Sequence, residues 1–302
     1  MKELTAFVYI SNRAIQVITG GESKNNKLQV TGYYETEVEE GSILNGIIMN
    51  NYSLQNKIAD MWKQYNLPAK NVHLVVNGSS ITTKHMKIPQ IAPKNIPGLI
   101  RTEFKDLDNI QNMLIDYSVV VPKNEDGSCS IFAVLSPKEF ITNYIDLFRD
   151  SKIELSVIDL QQNALIKLMK HFKSLQDKTF AVFILDKTML IECLFSNNDF
   201  VMTRRSRIFA LPTEDNFRRE IGQHINSIIQ FNKSEQTGSD ITDIFLCGFP
   251  DNGAGLIEQY SQNFGINAAT FPEFTPAELT VPEGFDPSLA VELLGGMIRY
   301  SS

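Results

Sequence analysis

The chain has 302 residues, room for about two domains of ordinary size. Apolar residues make up 43% and charged residues 21%, the balance of a soluble chain that buries a large core without metals or disulfides. The net charge of −7 argues against a nucleic-acid binder with a basic face and against a polybasic membrane-surface protein. Cys129, Cys193 and Cys247 are widely spaced and form no CxxC pair, so neither a zinc site nor a disulfide framework is indicated. Three free thiols fit a reducing cytoplasm. The N-terminus lacks the pattern of a signal peptide, and no apolar run approaches the roughly 20 residues that span a bilayer. A cytoplasmic chain with no direct membrane insertion is expected.

The elements alternate between strands and helices. Residues 6–10 and 14–18 are short apolar strands joined by Ser11-Asn12-Arg13, and 28–38 is a third. Ser53 is expected to cap a helix whose stripe is Leu54, Ile58, Met61, Trp62 and Tyr65, ending before Pro68. The single Trp on that stripe reads as core. Residues 72–76 form a strand, Asn77-Gly78 a turn, and 80–89 a further extended piece. Residues 93–106 read as a helix interrupted by Pro97. Strands 117–122 and 129–135 pair as a hairpin. Ser136-Pro137 opens a helix with the stripe Ile141, Tyr144, Ile145 and Phe148. A strand at 153–159 and a helix at 161–172 follow.

A second half begins near Lys178. Strands 180–185, 189–195 and 200–209 make a meander. Phe217, Ile221, Ile225, Ile228 and Ile229 form a helical stripe. Strand 242–248, helix 255–264 and a terminal helix opened by Asp286-Pro287 complete the chain. AFVYISNRAIQVI at Ala6 and AVFILDKTMLIEC at Ala181 align without gaps as strand, tight turn, strand. This internal repeat indicates two similar α/β lobes facing a cleft.

No GxxxxGK[ST], GxSxG, HExxH or EF-hand pattern occurs. Gly253-Ala254-Gly255 is a lone GxG that reads as a helix-start turn. His73, His85, His171 and His224 are scattered, with His224 at a helix-face boundary. Arg204, Arg205 and Arg207 read as a solvated strand edge.

Four stretches carry a resemblance: NVHLVVNGSSITTKHMKIP (71–89), VLSPKEFITNYIDLFRDSKIELSVIDLQQNAL (134–165), REIGQHINSIIQFNKSE (219–235) and IFLCGFPDNGAGLIEQYSQNFGI (244–266). In order and spacing they resemble the PilM family of type IV pilus assembly proteins, within the actin-like ATPase superfamily and related to FtsA. The resemblance implies an actin-like (ribonuclease H-like) two-lobed α/β fold. Residues 1–70 and 134–177 would form subdomain 1A. Residues 71–133 would form the inserted subdomain 1C, with strand-helix-strand-strand order. Residues 178–302 would form the second lobe, 2A with a truncated 2B.

Actin-like ATPases cradle phosphates with the backbone N–H groups of two glycine-containing hairpin turns and hold Mg²⁺ through acidic residues. Aligned to the family's first turn, the Asp position is Tyr9 and the Gly position is Ser11, followed by Asn12 and Arg13. In the second turn the matching positions are Ile184, Asp186, Lys187 and Thr188. Ile184 cannot ligate a cation, and Asp186 places negative charge where a phosphate would sit. The adenine-side glycines read Gly248-Phe249-Pro250, where Phe249 adds bulk and Pro250 removes a donor. Gln161 stands at the water-orienting Glu position. The cleft is therefore expected to be a degenerate nucleotide site, with no cofactor, with ATP and Mg²⁺ disfavoured, and with no ATPase activity.

The resemblance further implies a scaffold of the pilus inner-membrane assembly platform. It would bind the cytoplasmic N-terminal peptide of a PilN-like membrane protein between 1A and 1C, near Val72, Leu74 and Val76. One alternative is the cytoplasmic domain of a GspL-like type II secretion protein, a family that continues into a transmembrane helix; this chain ends at Ser302 without one. The other is an actin-like ATPase that still binds ATP.

Overall fold

The alternating apolar runs become strands. The computed structural model describes residues 4–235, 239–253 and 255–299. The first lobe opens with β1 (Thr5–Ile10), β2 (Ala14–Glu22) and β3 (Leu28–Glu37), then the short hairpin β4 (Ile43–Leu44) and β5 (Ile47–Ile48), α1 (Asn51–Tyr65) and β6 (Val72–Val76). An inserted unit follows: β7 (Thr82–Ile88), α2 (Ile96–Glu103), β8 (Met113–Val121) and β9 (Cys129–Pro137). The chain continues through α3 (Lys138–Asp150), β10 (Leu155–Leu160) and α4 (Gln161–His171). The second lobe holds β11 (Phe180–Asp186), β12 (Met189–Ser196), β13 (Asp199–Arg207), α5 (Asp215–Ser234), β14 (Asp243–Cys247), α6 (Leu256–Phe264) and β15 (Asn267–Ala269). Last come β16 (Leu279–Thr280) and α7 (Val291–Met297).

The strands build a six-stranded sheet in the order β10-β6-β1-β2-β3-β16, a five-stranded sheet β13-β12-β11-β14-β15, and a three-stranded sheet β7-β9-β8. Alternation sorts the central strands to two cores. Ala6, Val8, Ile10, Val72, Leu74 and Val76 face α1 and α3, while Phe7, Tyr9 and Val75 face α4, α7 and the second lobe. Trp62 belongs to the first of these cores, edge-on to Phe148 at 6.2 Å, with its indole N–H donating to the Pro68 carbonyl at 2.9 Å. All three cysteines are free and buried. No helix among the described residues is long and apolar enough to cross a membrane.

Several boundaries differ from expectation. Asn50, not Ser53, caps α1, its side chain accepting from the Ser53 N–H, while Ser53 Oγ donates to Glu39. Pro97 sits in the first turn of α2, where its missing N–H costs no helix bond, so it opens the helix rather than interrupting it. The buried face of α3 is Phe140, Tyr144, Leu147 and Phe148, which leaves Ile145 exposed. Asp286 caps a 3₁₀ turn, Pro287–Leu289, one step before α7. The β4–β5 hairpin turns on Asn45-Gly46, both at positive φ, as a two-residue turn of this hand requires. Ala254, the centre of the Gly253-Ala254-Gly255 run, lies outside the described residues.

Two placements correct the expected segment boundaries. Strand β6 pairs with β1 on one side and β10 on the other, so Val72–Val76 belongs to the six-stranded sheet and not to the inserted unit. The last segment leaves the second lobe: β16 pairs with β3, and α7 packs on α4, β1 and β6. The α4–α7 crossing is close, and a Cβ on Gly295 would lie 2.0 Å from the Ala164 carbonyl oxygen. Gly295→Ala is therefore expected to destabilise the protein by about 1–3 kcal/mol, measured as a lowered denaturation midpoint. An unchanged midpoint would contradict this packing.

Candidate functional site

The two hairpins of the internal repeat, β1–β2 and β11–β12, meet across the interlobe cleft. An anion cradle needs free backbone N–H groups, and the first turn has spent its own. The Ser11 N–H donates to the Ala14 carbonyl at 2.9 Å. The Arg13 and Ala14 N–H groups both donate to Ser11 Oγ at 3.1 Å. The Asn12 N–H donates across the cleft to Asp186 Oδ2 at 3.1 Å, joined by Asn12 Nδ2 at 3.0 Å. Asp186 is buried, and its Oδ1 has no partner. Arg13 turns away from the cleft into a two-pronged pair with Glu35 at 2.5 and 2.8 Å.

The other expected cleft residues are not all brought together. Ile184 is a core residue. Lys187 and Thr188 form the exposed tip of the second turn, Lys187 at positive φ. Gly248 is required as glycine, since a Cβ there would lie 2.9 Å from the Leu185 carbonyl oxygen. Phe249 does not project into the cleft. It is buried in the second-lobe core beside Phe217, which corrects the expected adenine-side bulk. Pro250 starts a 3₁₀ turn at the surface. What remains open at the meeting of the two turns is a cavity of about 160 Å³. Small-molecule sites usually run from about 300 to 1,000 Å³.

Behind the turns, the Gln161 amide donates to Tyr9 Oη at 3.1 Å and to Glu292 Oε1 at 2.8 Å. Burial, then the nearby Glu292 and Asp186 charges, push the Tyr9 phenol well above its ordinary value. Glu292, which sequence reasoning missed, is carried in from the first turn of α7. Burial pushes its carboxyl up to about 7. A carboxyl raised in the folded state binds more protons folded than unfolded between about 4.5 and 7, so its contribution to stability is full below about 4.5 and is lost as pH rises through 7. Glu292→Gln is expected to leave stability unchanged near pH 4.5 and to raise it by up to about 3 kcal/mol at pH 8. Thermal melts across that range check it; a variant less stable at pH 8 would contradict it.

β13 is the edge strand of its sheet, with Arg205 and Arg207 exposed as expected, but Arg204 and Arg205 also make specific contacts. Arg205 reaches across the cleft to donate to Asn77 Oδ1. Arg204 pairs with the fully buried Glu192 of β12 at 2.5 Å. That carboxylate also accepts from Ser206 Oγ and His224 Nδ1, each at 2.9 Å. Burial alone would raise Glu192, but the donors His224, Arg204 and Ser206 outweigh it and hold the carboxyl below the usual range.

An open groove lies elsewhere. It has a volume of about 710 Å³ and runs between β10, the outer strand of the six-stranded sheet, and β8, the outer strand of the inserted sheet. Leu114, Ile141 and Val157 supply apolar walls. The floor is polar: Lys167 donates to Asp159 at 2.6 Å and to the Ile298 carbonyl at 2.8 Å. Val72, Leu74 and Val76 are not in it. Their side chains point to the opposite face of β6 and are buried against α1 and α3, so they cannot meet a ligand. Their neighbour His73, on the other face, does line the groove.

Two lobes related by a repeated hairpin, with a three-stranded insertion, define an actin-like ATPase fold. The family model for the type IV pilus assembly protein PilM matches residues 8–208. The chain belongs to that family. A chain of the structure described as the PilM-PilN type IV pilus biogenesis complex is similar over 99% of both chains, at 13% identity and a TM-score of 0.76. A Bacteroides thetaiotaomicron protein described as having an actin-like ATPase fold is similar over 98% of this chain and 96% of its own, at 10% identity and 0.57. The cytoplasmic domain of EpsL, an inner membrane component of the type II secretion system of Vibrio cholerae, gives 98%, 94%, 8% and 0.51. At these identities the likeness is one of fold. No curated protein matches the chain.

Proposed function

We propose that this chain is a peptide-binding scaffold of a type IV pilus assembly platform whose interlobe cleft takes no nucleotide. The observation that carries the reading is the contrast between its two openings. The cleft that would hold ATP is closed by its own side chains, with Asp186 occupying the anion position and the first turn's N–H groups already bonded. The groove between β8 and β10 stays open and apolar-walled. Membership of the PilM family and likeness to a PilM–PilN complex support a PilN-like membrane protein as the partner. Its cytoplasmic N-terminal peptide would lie in the groove in extended form. The three-stranded unit then serves as subdomain 1C, and the chain is held at the cytoplasmic membrane through its partner. A pulldown with the N-terminal peptide of the same organism's PilN-like protein tests this. Capture is expected, and no capture at high micromolar peptide would overturn the partner assignment. Saturable ATP–Mg²⁺ binding at micromolar affinity would overturn the closed cleft.

A further inference from the structure

Both lips of the interlobe cleft hold large apolar side chains in solvent. On the first lobe the lip is the β4–β5 hairpin. Leu44 and Ile47 stand directly opposite one another across it, so their side chains share one face. That face is the outer one: both are exposed, while Ile43 and Ile48 join the first-lobe core. On the second lobe the lip is the segment that follows β13. There Phe209 is 79% exposed, the most of any large apolar residue described, and Leu211 is exposed too. The cavity of about 160 Å³ is bordered by Asn45 and Gly46 from the first lip and by Arg207, two residues before Phe209, from the second. The two lips therefore flank one opening.

Phe209 is fixed in place. The Glu220 carboxylate accepts from the N–H of Phe209, at 3.1 and 3.2 Å, and from the N–H of Ala210, at 2.9 Å. Arg207 lies over the Phe209 ring, its guanidinium carbon 5.7 Å from the ring centre. An apolar side chain on a backbone already held still gives up little freedom on binding, which suits it as an anchor. The cations beside it lack carboxylates. Arg13, Arg149 and Arg204 each pair with one, but Arg205 and Arg207, which border the same cavity, pair with none among the described residues. Asp186, the carboxylate of that cavity, is buried and accepts from Asn12.

We propose that the cleft mouth is a second docking surface, for a segment of another protein in which acidic residues lie among apolar ones. Its apolar side chains cover Phe209, Leu211 and the Leu44–Ile47 pair, and its carboxylates meet Arg205 and Arg207. Contact with both lips ties the lobes together, adding to the Asn12–Asp186 and Arg205–Asn77 bonds that already cross the cleft. A net charge of −7 and apolar residues split across a recess disfavour an anionic bilayer as the occupant. The cleft mouth shares no lining residue with the groove between β8 and β10, so the two can be occupied together, and the proposal does not depend on the partner assigned to the groove.

The photo-crosslinker p-benzoylphenylalanine is placed at position 209 of the full chain, which is then irradiated in its own cells. One discrete protein adduct is expected, with the cross-linked segment carrying Asp or Glu among apolar residues. Val157→Asp, in the groove, is expected to leave the adduct unchanged. A synthetic peptide of the cross-linked segment is then titrated against the full chain. Arg207→Glu is expected to weaken it by about tenfold or more, and changing the facing carboxylate of the peptide to Arg is expected to restore binding to that variant. Arg207 is exposed, so the denaturation midpoint of the variant should match that of the native chain. No adduct, an adduct to lipid or to a second copy of this chain, a segment without acidic residues, or a peptide affinity indifferent to Arg207→Glu would overturn the proposal.

Discussion

Replacing Glu192 by alanine is expected to cost about 3 kcal/mol of unfolding free energy, among the largest effects of any single polar substitution in the second lobe. The carboxylate has no solvent exposure and satisfies four donor atoms from three side chains: Arg204 Nε and Nη2, Ser206 Oγ and His224 Nδ1. Removing it leaves these donors around a void. Arg204 is about one-third exposed and can turn part of its charge to water, which holds the cost at the lower end of what breaking a buried pair involves. Glu192→Gln keeps an acceptor and the shape, so it is expected to cost about half as much. Denaturant unfolding of the three proteins checks both values. A loss below 1 kcal/mol for the alanine variant would mean that the cluster is not held together by its carboxylate.

The second large effect falls on binding. Val157→Asp is expected to weaken the PilN-like peptide by at least about a hundredfold while leaving the denaturation midpoint nearly unchanged. Val157 is 44% exposed in the free protein and lines the groove, so its substitution costs the fold little. In the complex the same position loses about 1.5–3 kcal/mol of apolar burial and must desolvate a new charge beside Asp159. Ile47→Asp, at a similarly exposed apolar residue outside the groove, is expected to bind as the native chain does. Fluorescence anisotropy of a labelled peptide reads the difference, and equal weakening by both variants would deny the groove its role.

How far the sequence carries the account depends on what each feature rests on. The repeat at Ala6 and Ala181 was legible because both hairpins are apolar runs around a short polar turn, and it led directly to two lobes. The departures from the family's turn pattern were legible too, since Ser11 and Asp186 are local substitutions at defined turn positions. The groove was not. Its neighbourhood was readable, but alternation alone does not say which face of Val72–Val76 meets helices and which meets solvent. That is fixed by β6 lying between β1 and β10, a pairing over long sequence separations. Glu192 and Glu292 escaped for a related reason. Each is an ordinary acidic residue in an apolar stretch, made significant only by partners such as His224 and Gln161, which the fold brings from distant helices. The β4–β5 hairpin was missed, although Asn45-Gly46 between apolar pairs is a hairpin signal.

The trade of a nucleotide for a peptide is the central claim, and one calorimetric experiment addresses both halves. The N-terminal peptide of the PilN-like protein is titrated into the full chain with and without millimolar ATP–Mg²⁺. The account predicts one-to-one peptide binding with the same affinity in both cases, and no saturable heat when ATP–Mg²⁺ is titrated alone. A saturable ATP signal, or a peptide affinity that changes several-fold when ATP–Mg²⁺ is present, would contradict it.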